Sequence, residues 1–262
     1  MTKTTATPIG AGRGDGRLRL GFMPLVDCAP LVVARDLGFA ADEGLELELV
    51  RETSWANIRD RLVLGHFDAA HMLAPMPIAA RLGLGPLQAP VIAPFVLDQG
   101  GNSIAVTTAL WREGGDWGGF GDPLASGRTL ARIVAERAKT GREQLTFASV
   151  HPFSCHHHQL RHWMAAAGVD PDRDVRLTVV PPPHMVAAME AGEVDGICVG
   201  APWTSRAVDS GVGHIVLPTA VLWPSTPEKV PGPRADPAER RDDAIRALPR
   251  APDRAPPRTA AP

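Results

Sequence analysis

A chain of 262 residues can form one large or two small domains, and an apolar fraction of 44% supplies material for a buried core. The net charge of −2, with both signs interspersed, lacks the basic excess of a nucleic-acid-binding or membrane-surface protein. Three dispersed cysteines, Cys28, Cys155 and Cys198, offer neither a disulfide framework nor a CxxC pair for zinc, and read as small buried apolar residues.

Residues 1–16 are polar and Gly-rich, which predicts a disordered lead without the apolar stretch of a secretory signal. No apolar run approaches the ~20 residues of a membrane span. Together these features predict a cytoplasmic chain, or a periplasmic one if translation starts further upstream.

Strand and helix signals then alternate. Leu18 to Leu25 reads as a buried strand, and Pro30 opens a helix to about Gly38, since proline in a first helical turn lacks only an N–H that would have no partner. Leu45, Leu47 and Leu49 alternate with Glu46 and Glu48, the period of a half-buried strand. Ser54 caps a helix through about Leu64, closed by Gly65. Asp68 to Leu73 reads as a strand and Pro75 to Leu82 as a helix. Val91 to Leu97 and Ser103 to Thr108 read as strands around a turn at 98–102. Asp122-Pro123 starts a long helix with Leu130, Ile133 and Val134 at helical spacing. Then come a strand at 145–150, a helix at 156–167, a strand at 175–180, a helix at 183–191, a strand at 194–199, a helix from Pro202 and a last strand at 215–217.

This order implies βαβ units and mainly parallel sheet. Ligands of such sheets lie beyond the C-terminal strand ends, beside helix N-termini. Unusual residues are concentrated at those corners: Asp27-Cys28, Trp55, residues 152–158, Pro181-Pro182-Pro183 and Gly200-Ala201-Pro202-Trp203. From Pro231 the texture changes. Residues 231–262 hold eight prolines and seven arginines without apolar period, and are expected to be disordered.

The segments GFMPLVDCAPLVVARDLGF, SWANIRDRLVLGHFDAAHMLAPMP, VRLTVVPPPHMVAAMEAGEVDGICVGAPW and PEKV resemble the nitrate-binding family of ABC-transporter receptors. They are most similar to its cytoplasmic nitrate/nitrite sensors, which pair with an ANTAR-type RNA-binding antiterminator. The likeness runs from about residue 18 to 230. It implies an α/β, type II periplasmic-binding-protein-like fold of two lobes around a ligand cleft. Lobe I would take 17–104, lobe II 105–213, and 214–230 would return to lobe I, which would be incomplete because family members are longer.

The resemblance also implies site residues: Trp55, Asn102, His156, the proline corner Pro182 and Pro183, the backbone turn at Val199 and Gly200, and Lys229. One departure is Ala201, where relatives usually carry glutamate. Nitrate or nitrite would be the ligand, held without bond breaking and without a cofactor or metal. A small weakly basic anion needs a cation and N–H donors to offset its desolvation. Lys229 would give a point charge, His156 and Asn102 directed donors, and Trp55 a flat face or an indole N–H.

Each residue also has a plainer reading: Trp55 as packing, His156 as an exposed helix-start histidine, Lys229 as a solvated loop lysine. His156-His157-His158 invites a metal, but consecutive helical residues point about 100° apart. Cys155 beside His156 resembles a nucleophile pair without an orienting third group. Two further functions stay open: the receptor of a nitrate or bicarbonate importer, and a thiamin-precursor-synthase-like enzyme on the same scaffold.

Overall fold

The structure, a computed structural model, describes residues 16–85 and 90–234. The expected disordered lead and nearly all of the Pro/Arg-rich tail lie outside the described residues. In chain order the elements are β1 (Arg17–Phe22), α1 (Ala29–Asp36), α2 (Phe39–Asp42), β2 (Glu46–Arg51), α3 (Trp55–Val63), β3 (Ala69–Leu73), α4 (Pro75–Arg81) and β4 (Asp98–Gln99). There follow β5 (Asn102–Thr107), α5 (Thr108–Gly114), α6 (Pro123–Lys139), β6 (Thr146–Ser149), α7 (Cys155–Ala166), β7 (Arg176–Val179), α8 (Met185–Glu190), β8 (Gly196–Gly200), α9 (Trp203–Asp209), β9 (Gly213–Pro218) and β10 (Pro227–Pro233).

Among the described residues these strands make two five-stranded sheets, β2-β1-β3-β10-β4 and β7-β6-β8-β5-β9. Leucines place the first sheet. Leu18 and Leu20 of β1 pair in register with Leu47 and Leu49 of β2, and bury against Ala34, Ala40 and Ala69. Burying each such leucine contributes about 1.5–3 kcal/mol. The second sheet rests on Ile104, Val106, Phe147 and Cys198, packed under Leu130, Leu160 and Trp163 of α6 and α7.

Neither sheet is purely parallel. β5 runs antiparallel to β8 and β9, and β10 antiparallel to β3 and β4. These are the strands by which the chain enters the second lobe and re-enters the first. The crossings therefore differ from expectation. All of β5 hydrogen-bonds in the second sheet, so the first crossing is at Gly100-Gly101, not after residue 104. Both glycines have positive φ, 73° and 84°, which side-chain-bearing residues rarely adopt. β9 still belongs to the second sheet, so the return falls at 219–226 and not at 214.

Two further expectations are corrected. Val91 to Leu97 is not a ladder strand. It carries a single bridge, Val91 to Arg234, because Pro94 removes a donor from its middle. Residues 231–233, expected as the start of the disordered tail, are the end of β10 and pair with His71, Ala70 and Ala69 of β3. Three prolines disguise this strand. The Lys229 and Pro233 carbonyls accept from Leu97 and Ile92 N–H, and the Glu228 carbonyl accepts from Ala74 N–H. Odd-numbered residues thus face the short β4 side. The missing N–H groups of Pro227, Pro231 and Pro233 point where little ladder exists.

The lobes meet face to face. One buried cluster joins Trp55, Ile58 and Met72 of the first to Val150, Met185 and Val199 of the second. Across the gap the Val26 N–H donates to the Ala201 carbonyl at 2.9 Å.

Candidate functional site

The position of β10 fixes the site. Lys229 lies near the middle of the first sheet, opposite Leu73, and its side chain is fully buried. A buried ammonium requires a counter-charge. The counter-charge comes from the β1–α1 corner, where Asp27 Oδ2 lies 2.7 Å from Lys229 Nζ. Asp27 Oδ1 is 3.1 Å from His71 Nε2, and the Met23 N–H donates to His71 Nδ1 at 3.4 Å. Because Nδ1 accepts, Nε2 carries the hydrogen and presents it to the Asp27 carboxylate as a short-range electrostatic contact. Burial alone would raise the Asp27 carboxyl, but Lys229 and His71 outweigh it and hold the group far below the usual carboxylate range.

Trp55 opens α3, whose N-cap Ser54 Oγ accepts from the Asn57 N–H. The indole ring is buried, with its centroid 5.9 Å from Lys229 Nζ and 5.3 Å from the His71 ring. A cation over an indole face at this distance is attracted by the ring quadrupole.

The second lobe supplies the opposite wall. The α7 N-cap Ser154 accepts from the His157 N–H, and the helix then brings His156 and Gln159 inward, both fully buried. Asn102 Nδ2 donates to Gln159 Oε1 at 3.2 Å, and Gln159 Nε2 donates to Glu228 Oε1 at 3.0 Å. This chain of amides links β5, α7 and β10, and so ties the lobes beside the crossings. Gly200 pairs with Asn102 across β8 and β5. A Cβ at Gly200 would lie 3.3 Å from Leu25, 3.4 Å from Asn102 Oδ1 and 3.7 Å from Asp27 Oδ2, so the two lobes meet over its bare backbone.

Two protonation states follow. Burial, reinforced by Lys229, holds His156 well below its usual value, so its ring is neutral. Burial raises Glu228 to about 7, opposed only partly by Lys229 and by hydrogen bonds from Asn102 and Gln159.

Among the described residues, several buried polar atoms here make no hydrogen bond: Trp55 Nε1, both ring nitrogens of His156, Asn102 Oδ1, Trp203 Nε1 and Glu228 Oε2. Such atoms are rare in folded proteins, because each forfeits its hydration without return. Those of Trp55, His156 and Glu228 leave hydrogen-bonding capacity unused near the Lys229–Asp27 pair.

Of the expected residues, Trp55 and Lys229 stand together, His156 feels the charges of Lys229 and Asp27, and Gly200 lies beside both Asn102 and Asp27. Val199 is buried in the interlobe cluster with Trp55. Pro182 and Pro183 form a 3-10 turn after β7, and Met185, directly after it, joins the same cluster. His156 is not an exposed histidine and Lys229 is not in a loop; both are fully buried. Asp27, His71, Gln159 and Glu228 were not anticipated as site residues. Asp27, His71 and Glu228 lie inside the segments that carry the resemblance, and Asp27 also stands at one of the strand-to-helix corners singled out as a ligand position.

Burial pushes the Cys155 thiol up to about 12, with Glu228 adding to the effect, so it stays a thiol at neutral pH. Among the described residues no group of three or more His, Cys, Asp or Glu side chains is placed to hold a metal ion. No helix among them is long and apolar enough to cross a membrane. A groove of about 880 Å³ along β7, lined by Asp172, Arg176, Thr178 and Glu193 among others, shares no residue with this cluster.

The sequence matches the NMT1-like family over residues 12–258. It is 39% identical over 231 residues to the nitrate import ATP-binding protein NrtC of a Synechocystis species, covering 87% of this chain and 32% of that one. It is also 39% identical over 233 residues to the bicarbonate transport ATP-binding protein CmpC of Synechococcus elongatus, covering 88% of this chain and 33% of that one. The crystal structure of the periplasmic nitrate-binding protein NrtA from Synechocystis PCC 6803 superposes with a TM-score of 0.80 at 32% identity, over 92% of this chain and 61% of that one. The chain thus spans about a third of the length of NrtC and CmpC and about three fifths of NrtA. Matched over nearly its whole length, and built as two α/β lobes of the periplasmic-binding-protein kind, the chain belongs to the NMT1-like family.

Proposed function

We propose that this chain binds nitrate or nitrite between its lobes and releases it unchanged. The observation that carries the reading is the set of buried, unpartnered donors on Trp55 and His156 beside the Lys229 cation. A planar monovalent anion accepts weakly at each oxygen, so it needs several donors and exclusion of water. Trp55 Nε1–H, one His156 N–H and Lys229 Nζ–H supply donors from both lobes. Asn102, Val199 and Gly200 close the second-lobe wall, and Pro182 and Pro183 support it. The Cys155 thiol, kept neutral by burial, favours binding without reaction. The names of NrtC and NrtA support the same ligand.

Ligand held by both walls favours the closed arrangement, in which Val26 and Ala201 are joined across the gap. A partner that distinguishes closed from open lobes reads out the binding. In the sensor reading that partner is an ANTAR-type antiterminator in the cytoplasm; in the importer reading it is a transporter subunit. Bicarbonate is the second reading for the ligand. Its O–H needs an acceptor, and Asn102 Oδ1 and Glu228 Oε2 are unpartnered acceptors. The 39% identity with CmpC points the same way. Calorimetric titration with nitrate, nitrite and bicarbonate tests these together. Nitrate or nitrite binding at least about tenfold tighter than bicarbonate, ~1.4 kcal/mol, is expected. Heat from bicarbonate alone selects the second reading, and heat from none of them removes the proposal.

A further inference from the structure

We infer that Asp27 sets the charge selectivity of the site: by neutralising Lys229 it makes the cleft accept monovalent and reject divalent oxyanions. The inference rests on the anion-binding reading above and names a residue to which that reading gives no role.

Lys229 does not stand as a free cation. Its Nζ is 2.7 Å from Asp27 Oδ2, and Asp27 is locked there by the His71 Nε2–H at 3.1 Å. His71 is in turn held by the Met23 N–H and by the Trp55 ring. Among the described residues, the charged groups at the site then include one cation, Lys229, one fixed anion, Asp27, the titrating Glu228, and Asp98, the register partner of Lys229, whose carboxyl is raised by burial and by Asp27; His156 is neutral. The site is close to neutral, or slightly negative, before any anion enters.

Such a site attracts an anion mainly through oriented N–H dipoles. That attraction grows in proportion to the ligand's charge. The cost of taking the ligand out of water grows with the square of its charge. A monovalent oxyanion can break even against donors from Trp55, His156 and Lys229. A divalent one of similar size pays about four times the desolvation for about twice the attraction, and also meets Asp27 and Glu228 as like charges. Were Lys229 unpaired, its full charge would favour the divalent ion most, since Coulomb attraction scales with both charges. Asp27 is well placed for this role, because it lies at the seam, beside Gly200 of the opposite lobe.

The test compares the unmodified chain with Asp27→Asn, which keeps the shape and removes the charge. Both are titrated calorimetrically with sodium nitrate and with sodium sulfate. The unmodified chain is expected to bind nitrate and to show no sulfate binding in the same range. In Asp27→Asn, sulfate affinity is expected to rise by about a hundredfold or more, and nitrate affinity by less. Nitrate binding by the unmodified chain with no sulfate gain in Asp27→Asn overturns the inference and leaves the anion-binding reading standing. No nitrate binding by the unmodified chain overturns both. Asp27→Asn leaves the buried Lys229 uncompensated, so folding is followed in parallel by thermal melting in chloride and in sulfate. Sulfate is expected to raise the melting temperature of Asp27→Asn more than that of the unmodified chain, whose shift measures the general salt effect. Equal shifts, or a variant that stays unfolded in sulfate, count against the inference.

Discussion

Replacing Lys229 by methionine is expected to weaken nitrate binding at least about a hundredfold and to lower stability by about 3–5 kcal/mol. Methionine retains most of the stem volume, so the change isolates the charge. The loss of stability comes from Asp27, which is left buried beside Gly200 without its cation and with His71 as its remaining partner. The second substitution Asp27→Asn removes that stranded charge and should return much of the stability without returning the affinity. Urea denaturation of the single and double variants, with parallel nitrate titrations, measures both quantities. A Lys229→Met protein as stable as the unmodified chain would show that the 2.7 Å pair contributes no net stabilisation.

Glu228 gives the second large effect, in the pH dependence of stability. Its carboxyl titrates at 4.5 in an ordinary setting and is raised to about 7 here by burial. The folded chain therefore holds this proton more tightly than the unfolded chain. The corresponding stability is fully present below pH 4.5 and is lost as pH rises through about 7, on the order of 3 kcal/mol in all. Buried histidines act in the opposite sense. Burial holds His151 and His157 down to about 4, so each contributes stability above 6.5 that is lost as pH falls towards 4. Total stability against pH mixes the two, and the Glu228→Gln variant separates them. The stability of the unmodified chain relative to Glu228→Gln should fall across pH 4.5–7, by an amount on the order of 3 kcal/mol. A difference independent of pH would mean that Glu228 does not titrate in that window.

The sequence made parts of this architecture plain for physical reasons. The Leu45-Leu47-Leu49 alternation and the Ser54 cap are local signals, and β2 and α3 follow from them. The glycines at 100 and 101 pointed to a turn, and the turn is the first crossing. β10 was concealed because its prolines read as tail; only its neighbours reveal that the missing N–H groups face a nearly unpaired side. The site was legible in part. Trp55, Asn102, His156 and Lys229 came from a resemblance, not from spacing, and the fold brings them to the seam between the lobes. The roles of Asp27 and His71 come from ion pairs that join the β1–α1 corner, β3 and β10, segments far apart in the chain. Glu228 was overshadowed by its neighbour Lys229. Glu228 meets Gln159 of α7 while Lys229 meets Asp27 of the β1–α1 corner, partners that only the fold brings to β10.

The central claim is that an anion is held directly by the unpartnered Trp55 indole N–H. The chain has six tryptophans, so six indole N–H signals are expected in a proton–nitrogen correlation spectrum, and Trp55→Phe assigns the one of interest. Nitrate added to the labelled protein should shift the Trp55 indole signal well beyond the other five and saturate with the calorimetric affinity. Saturable nitrate binding that leaves the Trp55 signal in place would contradict the account.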